Sequence, residues 1–125
     1  MDDTTLISEL SVSFTRQLQL YGELKKLVDS TFGKLVLSRG DVSRIVPAME
    51  RKNALVSTIV TERQRVQPRI VEWQERKAST TDSPGRRALD EVLERTERAI
   101  KEFLQSEDQM KRYLEHIVSK NGGES

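Results

Sequence analysis

Residues 37–59 read LSRGDVSRIVPAMERKNALVSTI, and this stretch decides the fold. An apolar pattern with helical spacing stops at Arg39-Gly40, and a second such pattern starts after Asp41. A basic residue followed by glycine is common at helix C-termini, and aspartate is a favoured helix N-cap. Because the turn between the two patterns is short, it predicts a hairpin of two antiparallel helices.

The apolar spacing on either side of this turn predicts two long helices. Steps of three and four residues run from Leu6 to Leu35, which predicts helix 1 at about residues 4–39. Helix 2 is predicted at about residues 42–78, with bends at Pro47 and Pro68 because proline removes a helical hydrogen bond. Around Ser43 to Pro47 we expect a bent or 3₁₀-like first turn.

A third helix follows the polar loop at residues 78–85. Ser83 is a suitable N-cap and Pro84 suits the first helical position, so helix 3 is predicted at about residues 84–120. Residues 121–125 are expected to be a disordered tail. The chain is therefore predicted to form one all-α domain over residues 1–125, an elongated antiparallel three-helix bundle with coiled-coil-like, up-down-up packing.

Two basic residues occupy inward-facing positions of helix 2 in this pattern. The spacing Ile45, Met49, Lys52, Val56, Ile59, Arg63, Val66, Ile70, Trp73 alternates steps of four and three. Lys52 and Arg63 therefore stand where apolar residues are expected. Their aliphatic stems can pack while the charged groups reach the edge of the core, or they can fix helix register by pairing with a carboxylate such as Glu107.

The composition bounds the function. Lys and Arg number 21 against 20 Asp and Glu, a balance that argues against binding nucleic acid or a membrane surface by charge. The basic residues of helix 2 and the following loop are interpreted as a solvated face that carboxylates of helix 3 could neutralise. No apolar run approaches the roughly 20 residues of a membrane span, and the acidic start is unlike a secretory signal, so we expect a cytoplasmic protein.

The chain offers no catalytic motif. It has one histidine and no cysteine, which predicts no histidine or thiolate metal site, and no glycine-rich phosphate loop is present. We therefore expect no catalytic residues, cofactor or metal. The enzyme alternative is a small helical bundle of the chorismate mutase type, in which Lys52 and Arg63 would clamp a dicarboxylate, although helix 1 lacks that family's arginine before an Ile-Asp pair.

The turn and the start of helix 2 resemble the FlgN family of flagellar export chaperones. That family joins a helix ending in a Gly-Asp-type turn to a second helix of pattern Leu…Lys-x-x-Leu-x-x-x-Leu. The similarity covers about 25 residues, and the matching positions are Gly40, Asp41, Ile45, Lys52, Leu55 and Ile59.

The resemblance implies a cytoplasmic chaperone that binds the C-terminal amphipathic helices of hook–filament junction (hook-associated) proteins. Such a chaperone keeps them unassembled and delivers them to the type III export gate. Helix 3 carries more apolar residues than one inward stripe requires, which suits docking of a partner helix. The candidate docking residues are Leu104, Met110, Tyr113, Leu114, Ile117 and Val118. Alternatively, these residues close the core or form a homodimer interface, as in a structural, self-associating coiled-coil protein.

Overall fold

The computed structural model describes residues 2–123, and within them the chain is helical without any strand. Helix α1 spans Asp3–Leu37, α2 spans Val46–Arg76 and α3 spans Pro84–Gly123. Two short 3₁₀ helices, Val42–Ile45 and Lys77–Ser79, flank α2. The three helices pack together, as the predicted all-α fold requires.

The two ends of α1 are fixed by local hydrogen bonds. At the start, the Asp2 carboxylate accepts from the Thr5 amide at 2.7 Å. At the end, the Gly40 amide donates to the Leu35 carbonyl and the Arg39 amide donates to the Val36 carbonyl, which together form a Schellman motif. The left-handed residue of this motif is Arg39, with φ 57°, so α1 ends two residues before the predicted position.

The start of α2 follows the prediction made from Pro47. Asp41 caps the 3₁₀ turn, because its carboxylate accepts from the Ser43 amide at 3.1 Å and from the Ser43 hydroxyl at 2.6 Å. Pro47 then lies in the first turn of α2, where a missing amide hydrogen costs nothing. The helix continues through Pro68 to Arg76, after which a 3₁₀ turn replaces the last predicted turn.

The start of α3 also agrees with the sequence pattern. The Ser83 hydroxyl accepts from the Arg86 amide at 3.1 Å, and Pro84 is the first helical residue. The helix ends later than predicted, since it includes residues 121–123 of the expected disordered tail. The last two residues of that tail lie outside the described residues.

Helix α1 is the common neighbour of the other two helices. Near the start of α1, Asp3 pairs with Arg76 at 3.4 Å and Glu9 pairs with Arg69 at 3.1 Å, both from the C-terminal half of α2. Aromatic contacts join α1 to α3 in the same order along both helices: Tyr21 with Phe103, then Phe32 with Tyr113.

The core consists of two apolar clusters. The first lies near the start of α1 and contains Leu6, Ile7, Leu10, Val66, Trp73 and Leu89. The second contains Tyr21, Leu24, Val28, Leu35, Ile45, Ile59, Phe103 and Met110. Apolar burial of this kind stabilises the bundle by roughly 25 cal/mol per Å² removed from water.

A buried polar layer separates the two clusters. It consists of Ser13, Gln17, Glu62 and Thr96, all of which are less than a tenth exposed. Gln17 donates to the Ser13 hydroxyl at 3.2 Å, and the Thr96 hydroxyl donates to the Val92 carbonyl at 2.6 Å. Two contacts of this layer cross between helices: the Thr96 hydroxyl also lies 3.4 Å from the Phe14 carbonyl of α1, and Glu62 of α2 accepts a hydrogen bond from Ser13 of α1. These contacts favour one helix register, because a shift would break them in an apolar core.

The inward stripe of α2 differs from the predicted one at two positions. Leu55 and Glu62 face the core where Val56 and Arg63 were expected, and Arg63 is exposed. Ile45, Lys52, Ile59, Val66 and Trp73 repeat every seven residues. Between them, Met49 and Ile70 pack against the clusters as predicted, so the stripe shifts by one residue only at Leu55 and Glu62. Glu62 is buried with its two oxygens bound to Arg65 at 3.0 and 2.6 Å.

Candidate functional site

The candidate site lies between α2 and α3. Closely packed helices lie about 8–10 Å apart, axis to axis. Both α2 and α3 approach α1 with Cα atoms within 8 Å, whereas no Cα atom of α2 lies within 8 Å of one in the described part of α3. The two helices therefore meet through long side chains, across a wider gap than separates either of them from α1.

The floor of this opening is an ion pair. The Lys52 ammonium group on α2 contacts the Glu107 carboxylate on α3, and the two side chains are 17% and 34% exposed. The stem of Lys52 lies beside Met49 and Met110. Lys52 thus fills the apolar position predicted for it and pairs with the carboxylate that the sequence suggested.

Apolar residues flank this ion pair on both helices. The side of α3 toward α1 carries Tyr113, so Leu104, which lies three residues before Glu107, belongs to the flank away from α1. Val118 shares that flank with Leu104 because it lies two heptads later. On α2, Val56 lies four residues after Lys52, on the corresponding flank.

These five residues define the α2–α3 face: Lys52, Val56, Leu104, Glu107 and Val118. Its three apolar side chains are all exposed, Leu104 by 52% and Val118 by 70%. The face therefore combines accessible apolar surface at its edges with a paired charge in its floor.

The six predicted docking residues divide between the core and this face. Met110 is 4% exposed and belongs to the second core cluster, against which Tyr113 and Leu114 also pack. Tyr113 meets the ring of Phe32 edge to face, with centroids 5.5 Å apart. Leu104 and Val118 are the two exposed members.

Ile117, the remaining docking residue, closes the end of the bundle. Its side chain lies directly against Gly40, so that a Cβ atom at residue 40 would collide with Ile117 Cδ1. Gly40 also has φ 88°, which a residue with a side chain rarely adopts. Glycine is needed at this position for two independent reasons.

The family-motif positions lie in the same half of the molecule as the docking residues. Ile45 and Ile59 are buried in the second core cluster, and Leu55 packs against it. Asp41 lies in the turn, where hydrogen bonds from Ser43 hold the pKa of its carboxyl below the usual range. The structure thus joins two sets of residues, at positions 40–59 and 104–118.

Exposed valines at Val46 and Val60 on α2 were not predicted as site residues. They lie one position beyond the inward residues Ile45 and Ile59, on the flank away from α1. They belong to a second set of α2 residues spaced three and four apart. This set was overlooked because the inward set beside it is more apolar.

The basic stretch of α2 is largely paired, although not by α3 as expected. Arg65 binds Glu62, Arg69 contacts Glu9 and Glu72, and Arg76 contacts Asp3 and Glu72. Arg86 lies 5.8 Å from the centre of the Trp73 ring and donates to the Thr80 carbonyl. These arginines hold helices and loop together.

The described side chains do not bring the candidate chemical groups together. Among them, no three histidine, cysteine or acidic groups are placed to hold a metal ion. Lys52 and Arg63 do not converge on a common site, since Lys52 contacts Glu107 and Arg63 points to solvent. Within residues 2–123 no helix has the length and apolarity that crossing a bilayer requires.

Comparison with known proteins supplies no relative. No protein-family model matches the sequence, and neither the curated proteins nor the solved structures give a significant match.

Proposed function

We propose that the protein is a cytoplasmic, non-enzymatic export chaperone of the FlgN-like type. In this proposal it binds the C-terminal amphipathic helices of hook-associated proteins, prevents their premature assembly and brings them to the flagellar export gate. The resemblance of residues 37–59 supports the family, and the α2–α3 face supports the mode of binding.

The observation that carries the proposal is the exposed apolar edge of the α2–α3 face. Leu104 and Val118 are separated by about 21 Å along α3 at roughly 1.5 Å per residue, which is four turns of a helix. An amphipathic helix of that length presents apolar residues at three and four residue steps. Docking on this face would place the helix between α3 and α2 near Leu104, and between α3 and the α1–α2 turn near Val118, since Ile117 lies against Gly40.

The proposal includes an elongated up-down-up arrangement of the three helices. The ion pairs Arg76–Asp3 and Arg69–Glu9 support opposite directions for α1 and α2. The ordered aromatic contacts between α1 and α3 support equal directions for that pair. This arrangement leaves α2 and α3 antiparallel on either side of the candidate docking surface.

Co-expression with a hook-associated protein from the same genome tests the function. We expect a soluble complex, and we expect Leu104→Asp together with Val118→Asp to weaken it at least about tenfold, because a carboxylate in an apolar interface loses its hydration. Both side chains are exposed in the free protein, so helix content should stay unchanged.

Val12→Asp is the matched control. Val12 is as exposed as Val118 but lies on α1, beside Pro68 and Arg69 of α2. This variant should bind like the unmodified protein. A folded protein that forms no complex, or a double variant that binds as well as the control, would refute the proposal.

A further inference from the structure

One exposed strip of α2 is almost free of charge, while the exposed charged residues Arg51, Arg63, Arg65 and Glu75 lie outside it. Its exposed residues at steps of four and three define the outer α2 strip: Val46, Glu50, Asn53, Ser57, Val60, Gln64, Gln67 and Val71. Glu50 is the one charged member. Along one edge, small or ring-shaped residues repeat every seven positions: Pro47, Ala54, Thr61 and Pro68.

The solvent side of α3 shows how unusual this strip is. The exposed residues at the same spacing there are Glu91, Glu94, Arg98, Lys101, Gln105, Asp108, Arg112 and Glu115. All but Gln105 are charged, as expected of a water-facing helix in a chain with 33% charged residues. Depletion of charge is the compositional mark of the centre of a protein interface.

The outer α2 strip can pack against the same strip of a second copy that runs in the opposite direction. If two copies pack antiparallel about an axis between Thr58 and Ile59, Val46 of one copy meets Val71 of the other. Under the same axis Asn53 meets Gln64, Ser57 meets Val60 and Glu50 meets Gln67. No two like charges oppose each other, and the amide side chains face hydrogen-bonding partners.

We propose that the outer α2 strip binds a second copy of this chain, forming a two-fold antiparallel pair of α2 helices. A two-fold interface must be complementary to itself, and this pattern pairs valine with valine at its ends and polar with polar side chains at Asn53–Gln64 and Glu50–Gln67. The near-zero net charge of +1 removes long-range repulsion between copies. The small residues on one edge allow the two backbones to approach closely.

The size of the strip sets the expected strength of association. From Val46 to Val71 it is about 38 Å long, and a helix is about 10 Å wide, which gives a footprint of about 400 Å² per copy. Stable interfaces bury about 800 Å² per partner, so we expect a weak dimer that dissociates in the micromolar range. This inference does not require the proposed chaperone function, although Val46 and Val60 lie on the same flank of α2 as Val56 of the α2–α3 face.

Sedimentation velocity over about 1–500 μM protein tests the association. The sedimentation coefficient should rise with concentration, and Val60→Arg should raise the dissociation constant at least about tenfold, because its guanidinium would lie unpaired near the axis. Leu104→Arg is the matched control, since Leu104 is similarly exposed but lies on α3. It should leave self-association unchanged.

Cysteine cross-linking tests the direction of packing. The chain has no cysteine, so single cysteines introduce the sole thiols. Ser57→Cys places two thiols beside the axis and should give an oxidised dimer, whereas Val46→Cys places them about 38 Å apart and should not. A monomer at every concentration, or equal cross-linking at both positions, would overturn the proposal.

Discussion

Lys52 on α2 pairs with Glu107 on α3 across the gap between these two helices. Because no Cα atoms of the two helices lie within 8 Å of each other in the described chain, this pair and the adjacent side chains bridge a gap that the backbones leave. Lysine suits the position, since its stem covers Met110 while its ammonium group reaches the neighbouring helix. The pair therefore sets the spacing of the candidate docking surface.

Breaking this pair should destabilise the protein, whereas replacing both partners should not. We expect Lys52→Ala to lower the free energy of unfolding by about 1–2 kcal/mol, because it removes the packed stem and leaves Glu107 without its partner. Lys52→Met combined with Glu107→Leu should be within about 1 kcal/mol of the original protein, since it exchanges the pair for apolar packing. Urea unfolding followed by circular dichroism measures both, and a double variant less stable than Lys52→Ala would contradict this account.

The docking residues predicted from sequence should differ in how much they contribute to the free energy of unfolding. Met110→Ala removes a buried side chain and should cost about 2–4 kcal/mol. Leu104→Ala removes an exposed one and should cost no more than about 0.5 kcal/mol. Chemical denaturation of the two variants tests this assignment, which fails if Leu104→Ala is as damaging as Met110→Ala.

The starts of α2 and α3 could be predicted because they depend on residues close together in the sequence. Asp41, Ser83 and Pro84 act where the sequence placed them, through hydrogen bonds within three residues or through a fixed φ. Such short-range contacts form whatever the rest of the chain does, so they can be predicted without knowing the fold. The end of α1 was less accurate: the helix was predicted to include Arg39, but it ends at Leu37 because Arg39 already has a positive φ, as does Gly40.

The polar layer could not be predicted from apolar spacing. Between Leu10 and Tyr21 the inward stripe of α1 passes through Ser13 and Gln17, while Phe14 and Leu18 lie beside it, half-buried. A prediction from apolar spacing chooses Phe14 and Leu18, and so places the inward stripe of α1 one residue too far along the chain. The same one-residue error on α2 placed Arg63 in the stripe, where the structure has Glu62.

The candidate site required the distances between helices. Leu104 and Leu114 were both predicted to be docking residues, although only Leu114 lies in the main apolar stripe of helix 3. The structure separates them, because Leu114 packs against the core and Leu104 is exposed.

Arg39→Gly should stabilise the protein. An L-residue in the left-handed region costs about 1–2 kcal/mol, and glycine removes that cost while adding about 0.4–1 kcal/mol of entropy to the unfolded chain. We expect a net gain of about 0.5–1 kcal/mol, visible as a higher urea midpoint. Lys34→Gly, inside the last turn of α1, is the control and should destabilise by about 1 kcal/mol. A loss of stability in Arg39→Gly would show that its side chain has a role of its own.

Acid should destabilise the protein through the buried carboxylate of Glu62. Hydrogen bonds from Arg65 hold the pKa of Glu62 below its ordinary value of 4.5, despite the opposing effect of burial. A carboxyl with a lowered folded-state pKa contributes stability above the unfolded-state value, and that contribution is lost as the pH falls through the folded-state pKa. Asp29, whose pKa is lowered by its 2.7 Å bond from Lys25, acts in the same direction.

We therefore expect the urea midpoint to fall between about pH 5 and pH 2, and to fall less steeply in Glu62→Gln, which keeps the shape of the side chain but cannot titrate. Glu97→Gln is the control, because Glu97 pairs with Lys101 at 3.6 Å on the solvent side of α3 and is mostly exposed. Its profile should follow that of the original protein. If Glu62→Gln showed the original acid dependence, the charge of Glu62 would not be what the polar layer depends on, and its hydrogen bond with Ser13 would be the stabilising contact.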